Sequence, residues 1–307
     1  MDRGRERYAT VEGRPVGVLE WGPPPRETAR RIVLVHGLGS AAIEWGLVAG
    51  PLAERLDASV TAIDLPGYGR SRRVGASPSM RGYERAVTKL LERDGPAVLM
   101  GHSMGGAVSV RVAVHRPDLV QALVLVDPAL PGRATSPRAR ASFARQFLPF
   151  VIPGVGRWVV RRRHRRLGPD GIVADHLVWN TLHPEDIDPD LRAQLLTLAH
   201  ERWQHEREAD AVYALSARSV TLYAIAGERR DLHAIDCPTL LIHAENDRLI
   251  PLRDAEAAAL RHPDWDFRVV VDCGHAVQVE KPDWLLDTVT HWVPVPVESA
   301  APQSPSV

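Results

Sequence analysis

Cysteine is scarce in this chain: Cys237 and Cys273 are the two in 307 residues. Two thiols can form one bridge, but they are too few for a disulfide framework or a thiolate metal site. Net charge is missing too. Lys and Arg total 38, Asp and Glu also total 38, and the formal charge is zero, so the chain as a whole offers no electrostatic footprint for nucleic acid. No stretch supplies the roughly 18 uninterrupted apolar residues of a membrane span. The opening residues, MDRGRERYATVEGRP, lack the apolar core of a secretory signal. These absences predict a cytoplasmic protein with no integral membrane segment and no nucleic-acid partner. No fixed-period repeat is visible, which argues against a solenoid. Nothing specifies an oligomeric state.

What is present is an ordinary globular composition, 45% hydrophobic and 25% charged, with enough apolar residues for a sizeable core. From Val16 to Leu125 short apolar or β-branched runs alternate with segments of helical period, the pattern of βα units around a parallel sheet. The predicted strands are VGVLEW (16–21), RIVLVH (31–36), SVTAID (59–64), AVLMGH (97–102) and VQALVLVD (120–127). AIEWGLVAGPLAERL, MRGYERAVTKLLERD and MGGAVSVRVAVHRP between them read as helices. The alternation stops after Asp127 and resumes at CPTLLIHAEND (237–247), followed by helix PLRDAEAAALRH, strand DFRVVVD and helix KPDWLLDTVTHWV. The block between, 130–235, has no convincing β-run and reads as a helical insertion. The core is therefore predicted over 1–129 and 236–293. The tail 294–307, PVPVESAAPQSPSV, has almost nothing to bury and reads as disordered.

Gly101-His102-Ser103-Met104-Gly105 fits G-x-S-x-G where a predicted strand hands over to a helix, the context that makes such a serine a nucleophile. Residues without Cβ flank the serine because the sharp turn brings neighbouring segments close. A serine needs a base held by a third group. His275, in CGHAVQVEKP, and Asp247, in HAENDRLIP, both follow later strands, giving the order Ser, Asp, His. Glu245 and Asp127 are alternative acids, the latter at the end of an earlier strand.

With HGLGS (36–40), DLPGYGRS (64–71), GHSMGG (101–106), ENDRLIP (245–251) and GHAVQVEKP (274–282), the chain resembles the α/β-hydrolase family from about Tyr8 to Val293. The resemblance implies an α/β fold, a mostly parallel twisted sheet flanked by helices, with residues 130–235 as a cap. It implies Ser103 as nucleophile, His275 as general base and Asp247 as orienting acid. It also implies an oxyanion hole from the backbone N–H groups of Leu38 and Met104. The serine disfavours the dehalogenase and epoxide-hydrolase branches, which place aspartate there. His36 would organise the oxyanion loop; Asp64, Gly67 and Gly69 would shape a tight turn.

The implied reaction is serine hydrolysis of an ester or lactone of a small hydrophobic molecule through an acyl-enzyme, without metal or organic cofactor. A thioester and a carbon–carbon bond beside a ketone are the alternatives within the family, and a small-molecule receptor is the non-enzymatic one. Trp45, Phe143, Phe147 and Trp179 are candidate pocket residues, packing of a helix being the other role open to Trp45. HERWQH (200–205) spaces its histidines five apart, not the four of a zinc-binding H-E-x-x-H, and reads as a solvated helix. The basic run within 157–168 reads as an exposed cap helix with an apolar underside, a contact with anionic lipid being the alternative.

Overall fold

The computed structural model describes residues 4–11, 13–28, 30–71, 78–131, 147–152, 154–226 and 232–293. Phe143 and the tail 294–307 lie outside them. Its strands are β1 (Arg5–Val11), β2 (Arg14–Trp21), β3 (Arg31–Val35), β4 (Ser59–Ile63), β5 (Ala97–His102), β6 (Val120–Val126), β7 (Thr239–Ala244) and β8 (Asp266–Val270). They form one sheet in the order β1-β2-β4-β3-β5-β6-β7-β8. The β1/β2 and β2/β4 pairs are antiparallel, and every pair from β4 to β8 is parallel. β1 has no counterpart among the predicted strands. It is an edge strand in which only Ala9 and Val11 are buried, so its sequence carries little apolar signal.

The central strands are buried from end to end because helices cover both faces, and such strands read as continuous apolar runs. Successive residues serve opposite faces. Val33, Leu99, Leu125 and Leu241 pack with Tyr83, Leu90, Val108 and Ala258 from α2 (Met80–Asp94), α3 (Met104–His115) and the helix Leu252–Arg261. Leu34, Met100, Val124 and Ile242 pack on the other face with Leu52 of α1 (Ala49–Leu56) and with Leu285 and Val289 of the helix Pro282–Trp292. The stretch predicted as one helix over 42–56 is instead a 3-10 turn, Ala42–Trp45, followed by α1. Pro51 explains the break, since a continuous helix would need its missing N–H and would drive its ring into the carbonyl of residue 47.

Between β6 and β7 stand α4 (Val155–Asn180), α5 (Pro189–Trp203) and α6 (Glu206–Ala226). α4 bends at Gly168, whose φ of 66° and ψ of 177° leave the helical region because the following Pro169 disfavours it there. Its basic half exposes Arg157, Arg162, Arg165 and Arg166 while Gly156 and Val160 are buried. Among the described residues no helix is long and apolar enough to cross a membrane.

A buried carboxylate ties these helices to the core. Glu44, 3% exposed, accepts from His176 Nε2 of α4 at 3.1 Å and from Gln278 Nε2 at 3.2 Å. Nearby, the Glu280 carboxylate accepts the N–H groups of Leu182 (2.9 Å) and Gly274 (3.0 Å), and Ala276 N–H donates to the Asn180 carbonyl at 2.8 Å. The end of α4 is thus bonded to the loop that carries His275. Burial pushes the Glu44 carboxyl up, but hydrogen bonding and charge from His176 outweigh it and bring the value down to about 2. A lowered carboxyl stabilises the fold above its unfolded value and stops doing so as pH falls through its folded value. Glu44 should therefore contribute about 3 kcal/mol at neutral pH, lost between about pH 5 and pH 2. Denaturant unfolding across that range should show a shallower acid limb for Glu44→Gln than for the wild type; identical limbs would mean that Glu44 is not charged in the fold.

Candidate active site

β5 ends at His102 and α3 begins at Met104, so Ser103 alone makes the turn. It does so at φ 53° and ψ −116°, a conformation that costs a residue with a Cβ about 1–3 kcal/mol. Three backbone bonds hold it there: Ser103 N–H to the Val126 carbonyl at 3.0 Å, and the N–H groups of Ala129 (3.0 Å) and Ala107 (3.2 Å) to the Ser103 carbonyl. The crowding is severe. A Cβ on Gly101 would lie 2.5 Å from the Gly105 carbonyl oxygen, and one on Gly105 would lie 2.1 Å from that of Val35. Glycine at both positions lets α3 start directly against β3.

The same closeness brings the loop after β3 to the serine, for a Cβ on Gly37 would stand 3.2 Å from Ser103 Cβ. His36 fixes that loop. Its Nε2 accepts from Leu65 N–H at 3.0 Å, so Nδ1 carries the proton that reaches the Gly37 carbonyl at 2.8 Å. Burial holds the His36 pKa below its ordinary value, in keeping with a neutral ring. In a trans peptide the N–H points opposite to the C=O, so anchoring the Gly37 carbonyl aims the Leu38 N–H away from His36. Leu38 and Met104 both line the cavity beside Ser103. Among the described residues neither backbone N–H has a protein acceptor, and that of Met104 is one of the free donors at a helix start. Asp64 shapes the next turn, accepting from Ala42 N–H (2.7 Å) and Arg70 N–H (2.9 Å).

His275, 2% exposed, stands 2.7 Å through Nδ1 from Asp247 Oδ2. The other oxygen of Asp247 accepts the N–H groups of Leu249 (2.7 Å) and Ile250 (2.9 Å). Burial raises the Asp247 carboxyl, but the His275 charge and hydrogen bond, with further help from His243 and the Ile250 N–H, hold it below the ordinary value. Asp127 is the opposite case. Fully buried at the end of β6, it accepts one bond, from Ala244 N–H at 2.8 Å, and its Oδ2 has no partner. Burial and the Asp247 charge push its carboxyl well above the usual range. Of the alternative acids, Asp247 is the one hydrogen-bonded to His275; Glu245 is exposed.

His275 is held from behind by the residue preceding the serine. His102 Nε2–H donates to the His275 carbonyl at 2.9 Å, while Gln278 Nε2–H donates to His102 Nδ1 at 3.1 Å. Burial, and then the neighbouring His275, push the His102 pKa down to about 3, so the ring is neutral. Asp127, His243 and Asp247 bring ligand atoms within 4.8 Å of one another, as do His102, Asp127 and His275. His275 already pairs with Asp247, and His102 and Asp247 already hold backbone groups; His243 also does so, through Nε2 and the Ile250 carbonyl at 2.9 Å. The sets read as hydrogen-bonding clusters.

Ser103 and His275 open into a cavity of about 690 Å³ between the sheet and the inserted helices, within the usual range for small-molecule sites. Phe147 and Trp179 line it. Trp45 does not: it has no exposed surface and packs in the core with Leu52 and Val48, one of the two roles open to it from sequence. The helix holding HERWQH is not wholly solvated, since Arg202 and Trp203 face the cavity. Glu44, His176, Gln278 and Arg202 escaped the reading of the sequence. Glu44 and His176 sit in no recognisable motif, Gln278 and Arg202 lie within GHAVQVEKP and HERWQH without a role that either pattern assigns, and their partners lie far away along the chain.

Residues 32–288 match the model of the alpha/beta hydrolase family. The lipase LipV of Mycobacterium tuberculosis is 28% identical over 259 residues, covering 82% of this chain and 88% of that one. A thermophilic esterase from Thermogutta terrifontis superposes with a TM-score of 0.67 at 22% identity, over 94% of this chain and 98% of that one. A serine hydrolase involved in carbazole degradation does so with a TM-score of 0.70 at 20% identity, over 94% and 97%. Likeness at that level concerns the fold, whereas the family match spans the elbow, both acidic positions and His275, and on that match the chain belongs to the alpha/beta hydrolase family.

Proposed function

We propose that the protein is a serine hydrolase that cleaves a carboxylic ester or lactone of a small, largely apolar molecule, with Ser103, His275 and Asp247 as its triad. The observation that carries the reading is the 2.7 Å contact between Asp247 and His275 at the floor of the cavity that Ser103 also lines. His275 takes the Ser103 proton as Oγ bonds to the substrate carbonyl carbon. The tetrahedral oxyanion is received by the N–H groups of Leu38 and Met104, a stabilisation of about 3 to 4 kcal/mol per donor in comparable sites. Collapse breaks the carbon–oxygen ester bond, and His275 returns the proton to the departing alcohol. Water, activated by the same imidazole, then bonds to the acyl carbon and releases the acid and the free serine. Asp247 holds the tautomer of His275 that leaves Nε2 free and stabilises the imidazolium. The inserted helices act as a cap that shapes the acyl or alcohol pocket. The esterase and lipase names among its relatives accord with this chemistry.

Purified protein should hydrolyse p-nitrophenyl esters of short or medium chain and be labelled at Ser103 by a fluorophosphonate. Ser103→Ala should abolish both, and a protein that neither turns over esters nor takes the label is not a serine hydrolase.

The two aspartates make a sharper test. Asp247→Asn should lower kcat by roughly 10³- to 10⁴-fold, as expected when the orienting acid is lost. Asp127→Asn should cost less than about tenfold, because the amide oxygen can still accept the Ala244 N–H and burial already disfavours a charge on that carboxyl. The reverse ranking, read from kcat of each variant, would move the acid to Asp127.

A further inference from the structure

The cavity wall carries many charges, and nearly all of them answer one another. Glu44 is engaged by His176, and Arg163 Nη2 meets Asp175 Oδ2. His164 Nδ1 stands 2.6 Å from Asp210, and Glu206 stands 4.0 Å from Arg165. Arg202 differs. Among the described residues no carboxylate lies within ion-pair distance of it; its contacts are Nη2–H to the Gly67 carbonyl at 2.9 Å and a place over the Tyr68 ring, 5.6 Å from the centroid. Its side chain comes from α5 and lines the cavity together with Leu195 and Leu198 of the same helix.

A guanidinium stays protonated in any protein environment and presents five donors in a planar fork that matches a carboxylate or phosphate. One carbonyl and one ring face leave most of that fork unused. Burial lowers the Arg202 pKa from its ordinary value, and the attraction of Tyr68, Asp64, Glu208 and Tyr83 does not make up the loss. The cation belongs to the part of the wall that α5 contributes, whereas Ser103 and His275 stand on loops of the sheet. Leaving a cation unpaired on a partly dry wall is costly, and an anion entering the cavity would repay that cost.

We propose that Arg202 anchors an oxyanion, a carboxylate or a phosphate, carried by the substrate at the end remote from the scissile ester. The substrate class is then an amphipathic ester: an apolar segment against Phe147, Trp179, Leu195 and Leu198, with an acidic group at its far end. This inference rests on the ester-hydrolase reading above. If Arg202 served only to stitch α5 to Gly67 and Tyr68, its loss would affect every substrate alike.

The test compares p-nitrophenyl hexanoate, mono-p-nitrophenyl adipate and p-nitrophenyl 6-phosphonooxyhexanoate as substrates of the full chain. At least one anionic ester should exceed the neutral one in kcat/KM by about 10- to 100-fold, mostly through KM, the range expected for charge-assisted hydrogen bonds. The favoured arm tells carboxylate from phosphate. Arg202→Gln should bring the esters level, and Arg202→Lys should retain part of the preference. No anionic preference in the wild type, or a parallel loss on all three esters in Arg202→Gln, overturns the proposal. Calorimetry with the wild-type protein gives a readout that needs neither turnover nor a variant. 6-Oxoheptanoate, or 6-oxoheptyl phosphate where phosphate is the favoured arm, should bind at least about tenfold tighter than the uncharged ketone 2-heptanone; if neither does, the anchor is refuted. Tighter anion binding by a protein that cleaves no ester would uphold the anchor while refuting the ester reading.

Discussion

The left-handed backbone at Ser103 is the constraint on which the rest of the site depends. A serine at φ 53° and ψ −116° is stable only where its surroundings over-determine it, and here the last residue of β6, the chain after it and the first turn of α3 all bond to the backbone of that one residue. Once the turn is made, the positions around it lose their freedom. Gly101 and Gly105 have no room for a Cβ, and Gly37 must pass within contact of Ser103. The helix that follows begins with unpaired N–H groups directed at the space above the serine, where negative charge would gather. Strain at one residue thereby brings Ser103 and the N–H groups of Leu38 and Met104 together from the ends of two strands, β3 and β5.

A second constraint is electrostatic. Two carboxyls, Asp127 and Asp247, sit at the ends of adjacent strands with His243 3.5 Å from each. A dry region cannot hold both as anions at low cost. Asp247 receives two backbone N–H groups and His275, whereas Asp127 receives one N–H. Hydrogen bonding therefore decides which keeps the negative charge, and the other is driven towards its neutral form. The pair titrates as a unit, so the environment of Asp127 also governs how firmly Asp247 holds His275.

Much of the fold and of the candidate site was legible because both rest on local patterns. The buried strands read as apolar runs, and the elbow is a contiguous motif whose partners fall after later strands in a recognisable order. What escaped depends on partners far along the chain. β1 carries only Ala9 and Val11 towards the core, too little periodicity to detect. Trp45 was open to a pocket or a packing role, and only the fold of α1 against the sheet decides in favour of packing. Glu44 and Gln278, 234 residues apart, are polar residues that no local pattern links, and they lie buried against each other in the structure. The choice between Asp127 and Asp247 is likewise a matter of hydrogen-bond counts, which residue order does not encode.

The candidate catalytic residues and the cavity wall occupy different layers of the molecule, yet they are physically joined. Ser103, His275 and Asp247 stand on loops of the sheet, while the cavity wall comes largely from α4, α5 and α6. Between the two runs a continuous series of contacts, from His176 to Glu44, from Glu44 to Gln278, from Gln278 to His102 and from His102 to the carbonyl of His275. Every link is buried or nearly so, where hydrogen bonds are strong and an orphaned partner is costly. A displacement of α4 must therefore either break the bond to Glu44, leaving a buried anion short of a donor, or carry the loop of His275 with it. Inserted helices bonded in this way do more than wall off a cavity: their seating on the core is part of what keeps the imidazole in place.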